Sequence, residues 1–556
     1  MSLGEPPYNA SLAAPAIRPI GLLLTLGVVF CAVYLPWLGY LDLLLEEPRR
    51  ALIARTMMEN GDYLVPRLGG EIYTAKPPLF NWLIALAATS GLGLDEFSAR
   101  LPSALSALFL ALFMVLSARR YLQSSGLWFL GLAILLTPEF IAKGRLAEIE
   151  MVFTLLVTAS VWLWFIGYQR SLKGYRLWVV PLILVALAYL AKREPAVVFF
   201  YLSIVPYLVW KRRWRVLVQP GHGVGIALAG AIAGGWITLV GLQVGFDVLW
   251  QTLQSEVLQR GMGQGWSAYL THFALYPVEL IAAMLPFSLL LFPLMSRDIR
   301  SGLLSRHGEL VPFLVFAVLA NLPIYWFRGD VSVRYFMPMF PLVLLLAALV
   351  FDQIAQGEER YGRRLKRYLN GLIYGFFGLA TVLIIGLAVT AVLPWFHGFR
   401  FTLIPEWVVG LLIIGAGVTL WFARSRQRSQ PAIGLLAAAV LVVLLAQSVY
   451  YNLVLPDKAR RVEEQRNAPA IVKSISETVN TTVLVVDTVP WAVWYYAPTD
   501  LLAPWTKDVP LASGSYLLVD EPHVDQFASQ GVVWQELSRY TYKGTAMLLV
   551  SISPGQ

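Results

Sequence analysis

The sequence predicts an α-helical polytopic membrane protein with about thirteen transmembrane helices and a small α/β domain at its C-terminal end. Three observations support this class. Of the 556 residues, 58% are hydrophobic and only 14% are charged, whereas soluble domains carry roughly 25% charged residues. The mean hydropathy is +0.64. Apolar runs near membrane-spanning length recur along most of the chain, so lipid must be its main solvent.

The apolar runs divide the chain into three parts. Residues 1–17 are expected to be a disordered lead-in, residues 18–455 the membrane domain, and residues 456–556 an extracytoplasmic domain. A further run at 79–94 is short, follows two prolines and is amphipathic enough to lie along an interface, so it is not counted. The predicted spans are 18–41, 100–118, 125–142, 149–168, 176–192, 195–211, 221–243, 275–295, 310–327, 334–352, 368–394, 403–424 and 432–455.

The charge pattern sets the expected orientation. The net charge is +9, and the basic residues cluster in short connections between apolar runs, as orientation signals do, so no nucleic acid partner is expected. With the N-terminus in the cytoplasm, every cluster lies inside. Counting 79–94 as a span would put Arg119 and Arg120 on the opposite side from the rest. Cys31 is alone, which excludes an intramolecular disulfide and a cysteine metal cluster.

The C-terminal tail, residues 456–556, reads as a small α/β domain outside the membrane. Strands are predicted at 482–487, 515–520 and 546–550, and helices at 468–479 and 523–530. About a hundred residues can hold a modest core. The aromatic residues at 491–496 are interpreted as packing or interface aromatics rather than a sugar-stacking site.

Charged residues beside the spans mark the candidate site, because such residues are costly at membrane depth. The first outer loop, residues 42–99, holds paired carboxylates followed by arginines at 46–50, which combines an acid/base group with anion binders. Glu148 and Glu150 stand at the mouth of a span. A solvated interfacial loop and snorkelling charges remain the alternatives for these two places.

Two further segments add positive charge on the same side. One is the turn 192–195, and the other combines 256–272 with 334–341. A lone histidine such as His272 is more often a hydrogen-bonded structural residue than a metal ligand. Together these groups suit an anionic lipid headgroup such as a phosphate. A hydrolytic serine motif, a P-loop and a spaced His/Cys metal site are absent from the sequence, so an activated substrate or a gradient must supply the energy.

These segments resemble the GT-C superfamily of lipid-sugar-dependent glycosyltransferases, and within it the branch of bacterial aminoarabinose transferases and protein mannosyltransferase-like enzymes. Both key acids of that family are usually Asp and are Glu here, which changes their reach by roughly 1.5 Å. Ala75 stands where aminoarabinose transferases have Glu. The matching segments, in family order, are 46–51, 61–66, 76–82, 100–104, Lys192 with Pro195, and 334–341.

The resemblance implies an inverting transfer of a sugar from undecaprenyl phosphate at the periplasmic face of the bacterial inner membrane. The main expectation is 4-amino-4-deoxy-L-arabinose as the sugar and lipid A phosphate as the acceptor. Another sugar transferred to an envelope glycan or protein hydroxyl is an alternative within the same class. From other classes, a lipid-linked sugar transporter or flippase and a membrane-anchored scaffold stay open.

The resemblance also implies roles for individual residues. No cofactor is required by this chemistry, although a divalent metal stays an alternative, with His272 as its candidate ligand. The expected catalytic residues are Glu46 and Glu150, the lipid-phosphate-binding residues are Arg49, Lys76, Arg260, Tyr73 and Tyr335, and the substrate-adjacent residues are Glu47, Arg145, Glu148, Lys192 and Arg334.

Overall fold

The structure is a computed structural model that describes residues 20–251, 266–329, 331–356, 363–392, 431–486, 489–505, 511–524 and 532–553. Within them the chain is mostly helical. Seven helices are long and apolar enough to cross a membrane, and the number rises to ten if each of three bent helix pairs makes one crossing. The predicted multi-pass helical membrane protein is therefore confirmed.

The finer count of about thirteen spans stays a prediction. The run at 403–424 lies outside the described residues. The runs at 18–41 and 195–211 are helices of 15 and 16 residues, which are short for a crossing. The excluded run at 79–94 forms a short apolar helix at Leu79–Leu92.

The helices fall into a membrane part and a C-terminal part. In chain order they are α1 Ile20–Tyr34, α2 Glu47–Asn60, α3 Leu79–Ala87, α4 Glu96–Ala118, α5 Ser124–Leu136, α6 Pro138–Gly144, α7 Glu150–Gln169, α8 Tyr175–Lys192, α9 Pro195–Trp210, α10 Pro220–Val244, α11 Trp266–Ala283, α12 Arg297–Arg306, α13 Leu310–Trp326, α14 Phe340–Gln356, α15 Arg363–Val392, α16 Pro431–Val449, α17 Leu455–Gln465, α18 Ala468–Thr478 and α19 Trp491–Tyr496. A 3₁₀ helix, Val333–Met339, leads into α14.

Local sequence explains where the helices near the site begin and end. Helix α2 has a proline in its first turn, and Gly61 ends it at φ +68°, a conformation that glycine adopts without strain. Helix α4 begins with a capping box: Asp95 accepts from the Ser98 backbone N–H at 2.7 Å, and the Ser98 hydroxyl accepts from the Asp95 N–H at 2.9 Å. Both helices therefore have fixed ends next to the first loop (residues 35–78).

The described part of the tail contains a five-stranded sheet in the order β4-β3-β5-β7-β6. Strand β3 is parallel to β4 and β5, and β7 is antiparallel to β5 and β6. The predicted strands and the helix predicted at 468–479 are confirmed, whereas the helix at 523–530 falls mostly outside the described residues. The strands are β3 Val483–Val485, β4 Leu502–Pro504, β5 Tyr516–Asp520, β6 Trp534–Tyr542 and β7 Thr545–Ile552, and the first loop adds a hairpin of β1 Arg67–Leu68 and β2 Glu71–Ile72.

One hydrophobic core joins the tail to the membrane helices. Trp494 and Tyr495 of α19 and Leu549 of β7 belong to the same buried cluster as Leu52 of α2 and Leu110 of α4. Burial of such side chains is the main source of stability at the contact. Whether 456–556 also forms a separate domain stays a prediction.

Candidate active site

A cavity of about 710 Å³ lies where the first loop meets the ends of several helices. The N-terminal ends of α7 and α9, the C-terminal ends of α8 and α13, and the 3₁₀ helix before α14 all reach it. Six Arg or Lys and four Glu side chains line it together with apolar and aromatic residues, so its charged part has an excess of positive charge. These charged residues are Arg49, Arg50, Lys76, Lys192, Arg328, Arg334, Glu46, Glu71, Glu148 and Glu150.

One wall is the N-terminal end of α2. Glu46 precedes the helix, and its Oε2 lies 2.8 Å from Nη1 of Arg49 and 4.0 Å from Nη2 of Arg50. The Glu46 side chain is 44% exposed, whereas that of Arg50 is 6% exposed. The Glu46 carboxylate therefore keeps lone pairs open to the cavity, while Arg50 is packed beneath it with its guanidinium 5.8 Å from the Tyr73 ring.

The rest of the first loop is fixed by side chains that bind its backbone. Oδ1 of Asp62 accepts from the N–H groups of Leu64 and Val65 at 3.0 and 3.2 Å. The Trp82 indole donates to the Tyr63 carbonyl at 2.7 Å, and the amide of Asn81 donates to the Arg50 carbonyl at 2.8 Å. The motifs at 61–66 and 76–82 thus hold the loop that presents Tyr73 and Lys76 to the cavity.

The opposite wall carries two tight ion pairs. Nζ of Lys192 lies 3.1 Å from Oε1 of Glu150, and Nζ of Lys143 lies 2.8 Å from Oε2 of Glu148. Arg334 approaches Glu148 at 3.6 Å. Both carboxylates are nearly buried, so they are held by cations in one geometry, as buried charges require.

The Tyr335 ring connects the cations of this wall. Nζ of Lys192 lies 4.5 Å and the Arg334 guanidinium 5.3 Å from its centroid. Both distances suit cation–π contacts. The ring therefore packs beside two cations that are also paired with Glu150 and Glu148.

Of the residues predicted for the site, the cavity brings together most. Arg260 lies outside the described residues. The expected residues in the cavity wall are Glu46, Glu148, Glu150, Arg49, Lys76, Tyr73, Tyr335, Lys192 and Arg334.

Two residues expected beside the substrate lie elsewhere. Glu47 is 1% exposed and pairs with Arg100 at 2.7 Å. Arg145 donates to the carbonyls of Val33, Tyr34 and Pro36 and so caps the end of α1, and burial lowers the pKa of its guanidinium. Neither lines the cavity. Both are structural because their hydrogen-bonding groups are used by the protein itself.

The cavity also contains residues that sequence reasoning missed. Arg50 is one position beyond the family's arginine, and Arg328 and Glu71 lie outside the motifs. Trp491 comes from the tail. Of these residues, only Arg50 could have been predicted from the sequence, because it lies in the charged run 46–50. Nothing in the sequence pairs Trp491 with a loop more than 400 residues earlier.

The described carboxylates of the cavity are arranged in ion pairs rather than as a group of metal ligands. A hard cation is bound by several oxygen ligands that converge on one point, whereas Glu148 and Glu150 are each paired with a lysine and Glu46 with Arg49. His272 lies 3.2 Å from the Tyr325 carbonyl. No group of three or more His, Cys, Asp or Glu side chains that could hold a metal occurs in the described ranges.

Three comparisons bear on this site. The sequence profile of the family described as dolichyl-phosphate-mannose-protein mannosyltransferase matches residues 75–236. The undecaprenyl phosphate-alpha-4-amino-4-deoxy-L-arabinose arabinosyl transferase of Edwardsiella ictaluri is 27% identical over 65% of this chain and 64% of that protein, which is less than two thirds of its length. The same-named protein of Pseudomonas paraeruginosa is 28% identical over 72% and 70%.

A solved structure shares the fold. ArnT from Cupriavidus metallidurans bound to undecaprenyl phosphate superimposes with a TM-score of 0.65 at 17% identity, covering 95% of this chain and 98% of that one. The chain is therefore a multi-pass membrane protein with the fold of ArnT, and it contains a cavity rich in charged side chains. The resemblance predicted from the motifs is confirmed: among such proteins, the chain is similar to the bacterial aminoarabinose transferases.

Proposed function

We propose that this protein is a polyprenyl-phosphate-sugar-dependent glycosyltransferase that moves a sugar from undecaprenyl phosphate to an acceptor with inversion at the anomeric carbon. The observation that carries the proposal is the half-open carboxylate of Glu46, 2.8 Å from Arg49, in one cavity with Lys76. A proton acceptor beside cations is what a transfer with a phosphate leaving group requires. The relatives named as arabinosyl transferases support it.

The proposed reaction is a single displacement. The acceptor oxygen forms a bond to the anomeric carbon while the bond from that carbon to the phosphate oxygen breaks, and its electron pair stays on the phosphate. For a hydroxyl acceptor, Glu46 takes the proton. For a phosphate acceptor, which is already ionised at neutral pH, Glu46 orients the attacking oxygen instead.

The cations of the first loop act on the leaving group. Arg49 and Lys76, with Arg260, would bind the departing lipid phosphate and stabilise the charge that it gains in the transition state. Tyr73 and Tyr335 line the same pocket. ArnT, whose fold this chain shares, binds undecaprenyl phosphate.

The second wall would bind the sugar. Glu150 and Glu148 are fixed by Lys192 and Lys143, so their free lone pairs can accept from sugar hydroxyls in a set orientation. Arg334, beside both Tyr335 and Glu148, would contact the acceptor. No metal is assigned a step, because the carboxylates are already paired with cations.

The finer proposal is transfer of 4-amino-4-deoxy-L-arabinose to lipid A phosphate. This proposal includes the predicted topology: thirteen spans in the bacterial inner membrane, an N-terminus in the cytoplasm and a tail in the periplasm. The names of the relatives support the sugar, and the basic connections support the orientation.

Purified protein in detergent would test the chemistry. The substrates are undecaprenyl phosphate-linked aminoarabinose and lipid A, and mass spectrometry detects the product. Glu46→Gln should lower turnover with an unchanged melting temperature. The loss should reach at least about 100-fold with a hydroxyl acceptor, because a positioned base contributes that much, and should be smaller with lipid A phosphate, whose oxygen Glu46 only orients. Lys76→Ala should mainly weaken binding of undecaprenyl phosphate, by about tenfold, since it loses one charge-assisted contact.

Two results would count against the proposal. Unchanged turnover in Glu46→Gln would remove Glu46 from catalysis, and unaltered lipid affinity in Lys76→Ala would remove its phosphate role. Mass spectrometry of lipid A and envelope glycans from cells with and without the protein then identifies the substrates. If lipid A is unchanged and another glycan is missing, the transferase chemistry stands and the aminoarabinose assignment is wrong.

A further inference from the structure

Trp491 is the aromatic residue that the C-terminal tail contributes to the cavity wall, whose other aromatic residues come from the first loop and the membrane helices. It is half-buried and begins helix α19, in the C-terminal tail. Its indole packs over the turn of the first-loop hairpin: a Cβ added at Gly69 would lie 3.2 Å from Cζ3 of Trp491, and Gly69 has φ +60°. Only glycine allows this close approach in that conformation.

Arg55 holds the helix that carries Trp491. Its guanidinium donates to the carbonyls of Trp494, Tyr495 and Ala497 at 3.0, 2.7 and 2.8 Å. Trp494 and Tyr495 lie in the last turn of α19, where carbonyls have no partner within the helix, and Ala497 follows the helix; a cation there also complements the helix dipole. Because Trp494 is one turn after Trp491, this contact sets the direction in which the indole points.

Three more hydrogen bonds, made by two tail residues, join the tail to the first loop and α4. The Tyr496 hydroxyl accepts from the Leu43 N–H at 2.9 Å and donates to Oε1 of Glu96 at 2.6 Å. Burial, together with the bond to Glu96, raises the pKa of Tyr496, which keeps this donor protonated. The Thr499 hydroxyl donates to Glu59 at 2.8 Å. The connection therefore does not depend on one side chain.

Helix α2 thus contacts both the cavity and the C-terminal tail. Its first turn, with Arg49 and Arg50, lines the cavity, and Arg55 and Glu59 hold the tail. Arg55 lies about 240° around the helix from Arg49, so the two functions use different faces. The same rigid helix places the proposed base and the indole relative to each other.

We propose that Trp491 is a binding residue for a sugar ring, and that Arg55 is the residue that positions it. The inference rests on the proposed function, since it names a contact within the same cavity. The indole face would pack against the C–H face of the ring, while the charged groups bind its hydroxyls. The ring can belong to the donor or to a glycan acceptor, and the test separates the two.

The test measures KM and kcat of purified protein with undecaprenyl phosphate-linked aminoarabinose and lipid A. Trp491→Ala should raise KM for the sugar-bearing substrate about tenfold with a smaller change in kcat, and Trp491→Phe should restore most of the loss. Trp214→Ala, at an exposed indole outside the cavity lining, is the matched control.

A binding titration assigns the ring. Undecaprenyl phosphate alone carries no sugar, so its Kd should not change in Trp491→Ala. A raised KM for the donor with that Kd unchanged places the ring on the donor, and a raised KM for lipid A alone places it on the acceptor. An equal loss for undecaprenyl phosphate itself would overturn the proposal, because the indole would then be bracing the phosphate site.

Arg55→Ala tests the positioning role. It should raise the same KM as Trp491→Ala, and the double variant should be no worse than the single ones, because both act through the indole. If the loss in the double variant equals the sum of the losses in the two single variants, Arg55 does not act through the indole. If the wild type is active and Trp491→Ala has the same KM and kcat, the sugar contact is refuted and the proposed function stands. If the wild type is inactive and binds no undecaprenyl phosphate, the proposed function is refuted as well.

Discussion

At the residue scale, three of the four cavity carboxylates, those of Glu46, Glu148 and Glu150, differ in exposure rather than in chemistry. The Glu46 side chain is 44% exposed and the Glu150 side chain 11%, and that of Glu148 is the most enclosed. A half-exposed carboxylate can exchange a proton with a substrate, while an enclosed one paired with a lysine is fixed. Exposure therefore favours Glu46 as the base and the other two as binding groups.

The Glu150–Lys192 pair gives a prediction for stability. Lys192→Met should lower the free energy of unfolding by about 3 kcal/mol, because it leaves the Glu150 carboxylate buried without its closest cation. Thermal unfolding in detergent measures it. Adding Glu150→Gln should recover much of the loss, since the uncompensated charge is then gone. If the double variant loses as much free energy of unfolding as the two single variants together, packing rather than charge dominates the contribution of this pair.

At the element scale, a buried arginine holds the first loop against α4. Arg100, 4% exposed, donates to both oxygens of Glu47 and to the carbonyls of Leu38, Leu41 and Asp42. Glu47 in turn accepts from the Ala147 N–H at 2.8 Å, next to the wall with Glu148. One ion pair thus fixes the start of α2 relative to both sides of the cavity.

Arg100→Ala should therefore destabilise the protein by at least about 3 kcal/mol, because it leaves a buried carboxylate and several carbonyls unpaired. The melting temperature should fall sharply. Arg119→Ala is the matched control and should change little, because Arg119 is an exposed arginine just after the same helix and its guanidinium donates to the Leu116 carbonyl. Equal melting temperatures for the two variants would show that the ion pair does not hold the loop.

At the scale of the whole molecule, the features that could be predicted are those that depend on residues close together in the sequence. Apolar runs report burial in lipid locally, so the helices were predictable. The charged motifs in the first half lie at helix ends and could be placed in one site. Three other features depend on contacts between residues far apart in the chain, which no local pattern encodes. These are the burial of Glu47, over 53 residues, the cap made by Arg145, over 111 residues, and the position of Trp491 beside the first loop, over more than 400 residues.

The orientation in the membrane is the remaining prediction at this scale. The basic connections place Ser305 in the cytoplasm and Ser513, in the tail, on the other side; both residues are exposed. Cys31 is the single cysteine, so Cys31→Ser gives a background for one introduced thiol. In intact cells, a membrane-impermeant maleimide should label Ser513→Cys and not Ser305→Cys.

The labelling result also constrains the chemistry. Trp491 of the tail lines the cavity, and Arg55 of α2 holds the helix that carries it, so in the proposed reaction the sugar is transferred on the side that holds Ser513. Labelling of Ser305→Cys instead would place the cavity in the cytoplasm. The acceptor would then have to be a cytoplasmic molecule, and a periplasmic glycolipid acceptor would be wrong even if Glu46→Gln abolishes turnover.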